Sequence, residues 1–190
     1  MPIRFNQPPR PIPDLENCRA TVCRVEVRRL TLWSLLPTLA GIAVAVAGHR
    51  LWPALSTLSA PTLLLLWALF MVSIPVHELI HALTFLALTH CGVDRLSFGL
   101  QAGVAYCHAD AVLPLRHYRV VLVAPLVVLG LVPLVVGLLT HHTFLLSLAL
   151  LEVGGAVGDM AILWRLRHLA PSTLVYDHPS DAGCVVYHPL

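Results

Sequence analysis

Lysine is absent from this chain: all twelve basic residues are Arg, which hints at a GC-rich genome and carries no functional message. Charge of either sign is scarce, at 12% of the 190 residues, and the formal net charge is only +2. That balance lacks the basic surface by which proteins hold phosphate backbones, so no nucleic-acid partner is expected. Cysteine is sparse and odd in number. Cys18, Cys23, Cys91, Cys107 and Cys184 show no regular spacing, which excludes a disulfide framework and leaves free thiols as the default. Cys18 and Cys23 lack the second Cys pair that would complete a structural metal clip. Apolar residues are what the chain has in abundance, at 57% with a mean hydropathy of +0.80. This is the composition of a polytopic membrane protein, in a length that suits one compact unit.

Four apolar runs near the ~20 residues needed to cross a bilayer stand out: Leu30 to Ala47, Pro61 to Thr89, Val120 to Leu139 and Thr143 to Trp164. The first ends in a stretch like a signal cleavage site, but a polar lead of almost thirty residues is too long for a signal peptide. Six Arg precede the first run, Arg95, Arg116 and Arg119 separate the second from the third, and Arg165 and Arg167 follow the fourth. The remaining loops hold only Arg50. By the positive-inside rule, both termini and the central loop face the cytoplasm of a multi-pass protein in the cell membrane. The expected fold is all-α and polytopic, with four transmembrane helices and a small cytoplasmic β-hairpin or sheet. It divides into a cytoplasmic segment at 1–29, a four-helix membrane domain at 30–166 and a cytoplasmic tail at 167–190.

Outside the helices, residues 1–18 are Pro-rich and read as extended or disordered. Ala20 to Leu30 alternates in the manner of a half-buried strand. Leu96 to His108 reads as a β-hairpin, with Ala102-Gly103 at its turn, which joins the N-terminal strand in one sheet. In the tail, Asp177-His178-Pro179-Ser180 reads as a turn and Cys184 to Tyr187 as a further strand.

The second run carries His77-Glu78-Leu79-Ile80-His81, an HExxH pattern, and between Pro61 and Thr89 these three are the only ionisable side chains. Residues four apart share a helix face, so His77 and His81 can aim at one metal ion. Glu78 is placed to act as general base on a water that the metal activates. Charge at bilayer depth costs roughly 2.5–3.5 kcal/mol per group, so three such side chains together point to a function. Pro75 deprives the Met71 carbonyl of its helical partner and offers a kink beside the motif. A catalytic zinc site takes a third protein ligand. Asp159, near the cytoplasmic end of the fourth run, is the best candidate. Glu152, seven residues earlier on the same face, is the runner-up, and it sits deeper than the motif. His90, Cys91, Cys107, His108, His141, His142, His178 and His188 are ligand types that read better as interfacial or loop polars.

HELIHAL, the Phe98-Gly99 hairpin, Gly158-Asp159-Met160 and the DHPS of the tail together resemble a family of small four-helix membrane proteins described as zincin-like peptidases, distant relatives of the site-2 intramembrane proteases. The resemblance runs from about Val27 to Pro189. It implies Zn²⁺ bound by His77, His81 and Asp159, with Glu78 as the catalytic base. It implies a membrane protein or peptide as substrate and the lipid bilayer as surroundings; nothing in the sequence sets an oligomeric state. Val-Gly-Asp-Met stands where site-2 proteases often have a longer Asn/Pro-containing stretch, and there is no room for a PDZ domain.

Two other classes of function compete. A catalytically inactive zincin-like membrane protein that binds or regulates a partner has no need of Glu78. A histidine-box oxidase needs several His-rich clusters, and a transporter needs ionisable groups along a path, whereas the first and third runs have none in their interiors.

Overall fold

The computed structural model describes residues 18–25, 27–101, 104–178 and 183–189. The Pro-rich leader up to residue 17, the hairpin turn at 102–103 and the Pro179-Ser180 half of the tail turn lie outside the described residues. Strand β1 (Cys18–Arg24) leads into helix α1 (Val27–Leu51), followed by α2 (Ala60–Thr89). After a short 3₁₀ turn come β2 (Leu96–Gln101), β3 (Val104–Ala109) and β4 (Val112–Pro114). Helix α3 (Leu115–Pro125) continues through a π-helical stretch, Leu126–Leu131, into α4 (Val132–Thr140). Helices α5 (Thr143–Gly155) and α6 (Val157–Arg165) precede β5 (Leu174–Asp177) and β6 (Gly183–Pro189).

Three helical stretches, Arg29–Arg50, Ala60–Thr89 and Leu115–Thr140, are long and apolar enough to cross a membrane, and the α5–α6 pair makes a fourth if its two halves count as one span. Their apolar side chains face outward: Leu36 is 78% exposed and Leu139 77%. Water penalises such exposure by about 25 cal/mol per Å², and hydrocarbon does not. The helices hold together through small residues. A Cβ on Gly41 of α1 would lie 2.9 Å from the Ser147 carbonyl of α5, and one on Gly154 of α5 would lie 2.6 Å from Thr38 Oγ1 of α1. This is the close approach that small residues permit in apolar helix pairs.

The fourth apolar run is not one straight helix. It breaks at Ala156, and α6 turns 47° away from α5. Gly154-Gly155 supplies the reason, since each glycine weakens a helix by about 1 kcal/mol relative to alanine. Helix α2, by contrast, runs unbroken through Pro75.

The sheets also differ from expectation. The strand at the N-terminus occupies Cys18–Arg24 rather than residues 20–30, because its partner runs out: β1 pairs antiparallel with β6 from Cys18 opposite Pro189 to Arg24 opposite Gly183, where β6 begins. The hairpin β2–β3 is a separate two-stranded sheet, and β1 joins a four-stranded antiparallel sheet in the order β1-β6-β5-β4. The tail strand does join it. A core of Leu113, Leu115, Tyr118, Leu122, Ile162, Leu166, Val175, Cys184 and Val186 fills the space between that sheet and the ends of α3 and α6, and Phe85 brings α2 into the same core. Phe85 lies one helical turn beyond His81, so this core fixes the end of α2 that carries the motif.

Candidate metal centre

On α2, His77 and His81 share a face, with ring centroids 4.9 Å apart and planes at 74°. The break at Ala156 turns the first helical turn of α6 toward them. Asp159 Oδ2 then lies 3.0 Å from His77 Nε2 and 3.3 Å from His81 Nε2. One ligand atom from each of the three residues lies within 4.8 Å of the others, and no other such group exists among the described residues. The site is recessed but reachable, with 13% of the His77 and 16% of the Asp159 side-chain surface exposed.

Two backbone contacts complete the arrangement, and neither was anticipated from the sequence. His81 Nδ1 lies 3.0 Å from the Val121 carbonyl of α3. A carbonyl only accepts, so Nδ1 carries a proton, and Nε2 is the ring nitrogen turned toward Asp159. Metal-binding histidines are commonly oriented in this way. Val121 has its carbonyl to spare because residue 125, four positions on, is a proline with no N–H to offer. Pro125 is thus a sequence signal that could have led to this contact.

The second contact is at Glu78, whose carboxylate lies beside the Cys107 backbone amide of β3. Asp110 N–H donates to Arg95 O at 2.9 Å, and hydrogen-bonding direction alternates along an antiparallel pair. Cys107, opposite Phe98, therefore turns its N–H away from β2. The hairpin thereby offers α2 an amide that its own ladder does not use.

Glu152, the other acid of the fourth apolar run, is buried on α5. It lies near Ser73, one turn before His77, and its Oε1 has no hydrogen-bond partner among the described residues. It is not part of the convergent group. His90 caps the end of α2 in a left-handed conformation, and Cys91 accepts the Thr89 hydroxyl at 3.0 Å. Burial, with Asp177 and Glu78 nearby, pushes the Cys107 thiol up to about 12, which makes it a poor metal ligand. His108 pairs with Asp177, not with the motif. Cys18 and Cys23 pack against different core clusters on the two faces of the sheet.

The donor set of two imidazoles and one carboxylate is that of a three-ligand catalytic zinc site, and the fixed tautomer of His81 suits it. No curated protein and no solved structure matches the chain. The sequence does match, over residues 70–174, the model of a family described as "Putative zincin peptidase". That stretch runs from two turns before HExxH, through the hairpin and Asp159, to the start of β5, and it covers more than half of the 190 residues; the chain belongs to this zincin peptidase family.

Proposed function

We propose that the protein is a zinc-dependent intramembrane peptidase of the site-2 protease type, which cleaves peptide bonds of membrane-associated substrates. The observation that carries this reading is the convergence of His77, His81 and Asp159, with the Glu78 carboxylate beside them. His77, His81 and Asp159 hold the metal ion. Zinc, when bound, supplies the Lewis acidity that makes water a nucleophile near neutral pH. Glu78 accepts the proton of the attacking water and delivers it to the leaving amine. The Cys107 amide keeps the carboxylate oriented between the two transfers.

The topology supports four crossings with both termini on one side, and the Arg distribution favours the cytoplasmic one. β1, β4, β5 and β6 share one sheet, so the chain must return to the same side after α1–α2 and again after α3 to α6. With α3–α4 as a crossing, the bent α5–α6 pair is the return. Within α2, His81 lies about 12 Å from the Thr89 end at 1.5 Å per residue, below the membrane face that carries the sheet.

A helical substrate hides its peptide bonds and has to be unwound before attack. Among the described residues β2 pairs only with β3, which leaves its outer edge for an extended segment. The alternation that frees the Cys107 amide turns the Phe98 and Leu100 N–H groups toward that edge.

Elemental analysis and cleavage of membrane-peptide substrates in proteoliposomes test the proposal together. About one zinc per chain is expected, retained in Glu78→Gln while cleavage is lost. A folded protein that binds no zinc refutes it. Leu100→Pro removes an outward N–H without touching the β2–β3 ladder, so it is expected to reduce cleavage and leave zinc in place; unchanged cleavage would eliminate strand addition.

A further inference from the structure

Away from the metal centre, Cys23 of β1 stands directly opposite Cys184 of β6. Opposed residues of antiparallel strands have Cα atoms about 4.5–5.5 Å apart, inside the 4.4–6.8 Å span of disulfides. As directly opposed residues their side chains lie on the same face of the sheet. Both belong to the core under the sheet, yet they differ in access: Cys184 is fully buried, whereas Cys23 is half-buried at its margin. We propose that Cys23 and Cys184 form a redox-active dithiol, which a hydroperoxide converts to a disulfide that clamps the first described strand to the last.

The roles follow from the surroundings. The Cys184 thiol and the Arg165 guanidinium of α6 hold the Cys23 thiol below its ordinary range against the effect of burial. Cys23 is therefore the thiol rich in thiolate, and it is the one a small oxidant can reach. Its thiolate attacks the peroxide, the O–O bond breaks, and Cys23 becomes a sulfenic acid as hydroxide leaves and takes up a proton. Cys184 then attacks the sulfenic sulfur, the S–S bond forms, and a second water leaves. Two thiols and one hydrogen peroxide give one disulfide and two waters. Because Cys184 reacts only with its neighbour, its burial protects it from other partners. By the Arg distribution the sheet faces the cytoplasm, where disulfides are mostly transient and redox-sensing.

The test uses the full-length protein in membrane vesicles, free of reductant, titrated with hydrogen peroxide and quenched with N-ethylmaleimide. Trypsin releases Cys23 within residues 20–24 and Cys184 within residues 168–190, and the expected product is these two peptides joined and two hydrogens lighter. It should form at roughly a tenth of the peroxide needed to modify Cys91 or Cys107, and dithiothreitol should reverse it. In Cys184→Ser, dimedone is expected to label Cys23, and in Cys23→Ser residue 184 stays unmodified at that dose. The proposal falls if Cys91 or Cys107 oxidises while Cys23 and Cys184 remain thiols. It falls equally if Cys23 links instead to Cys18 or to a second chain.

Discussion

Two places in this molecule join histidine to an aspartate far away in sequence, and they differ in what the aspartate is given. At the metal centre, Asp159 Oδ2 faces two imidazole nitrogens, at 3.0 and 3.3 Å. In the sheet region, Asp177 Oδ2 faces one, His108 Nδ1 at 3.3 Å, close enough for attraction but not aligned for a hydrogen bond. The other oxygen of Asp177 accepts the hydroxyl of the buried Tyr118 at 3.0 Å. A neighbouring tyrosine, Tyr176, stacks T-shaped with His108 and donates to Asp110 Oδ1 at 2.9 Å. Tyrosine hydroxyls thus engage the acids of the second cluster, whereas in the first a single carboxylate oxygen is shared by two imidazole nitrogens. A histidine beside an acid is a structural link in one case and a candidate metal site in the other, and the number of converging ligand atoms separates them.

Substitution can break this contrast, and the largest effect belongs to the convergent site. His77→Ala or His81→Ala should lower bound zinc from about one per chain to almost none, with Asp159→Ala weakening it strongly. His108→Ala and Asp177→Asn should leave it unchanged, as read by elemental analysis of the purified folded proteins. Next in size, Glu78→Gln should lower peptide cleavage by roughly 10²–10⁴-fold at full zinc occupancy, since a general base contributes on that scale.

A subtler change probes the link between helices. Pro125→Ala restores an N–H able to reach the Val121 carbonyl, which then competes with His81 Nδ1–H. Zinc affinity should drop by about tenfold, the lower end of the effect of losing such a support, and metal competition with a chelator would read it. Helix content should not fall. The smallest effect belongs to the second cluster: Tyr118→Phe leaves Asp177 without its donor and should cost about 1–2 kcal/mol of stability, seen in thermal melts, with zinc binding intact. Loss of zinc in that variant would mean that the two clusters are one unit.

Much of the site was legible in the sequence because HExxH is a local pattern: a helix of 3.6 residues per turn puts His77 and His81 on one face whatever surrounds it. The hairpin was legible for a similar reason, its alternation being short-range. Asp159 could be favoured over Glu152 only by a depth argument, and its approach depends on a 47° bend at Gly154-Gly155 that apolar composition does not reveal. The β1–β6 pairing joins residues more than 150 positions apart, and nothing in the Ala20–Leu30 pattern identifies β6 as the partner or shows that the ladder ends at Arg24.

The sequence alone determined the apolar runs, the arginine asymmetry, the paired histidines and the adjacent glutamate, all consequences of side-chain chemistry repeated at helical spacing. Tertiary structure decided which acid meets the histidines, which carbonyl fixes the tautomer of His81, which amide lies beside Glu78 and which cysteines face one another. Each of those contacts joins distant segments through a backbone group, a helix break or a strand register. The identities of such partners are set by packing, and the chemistry of any one segment does not encode them.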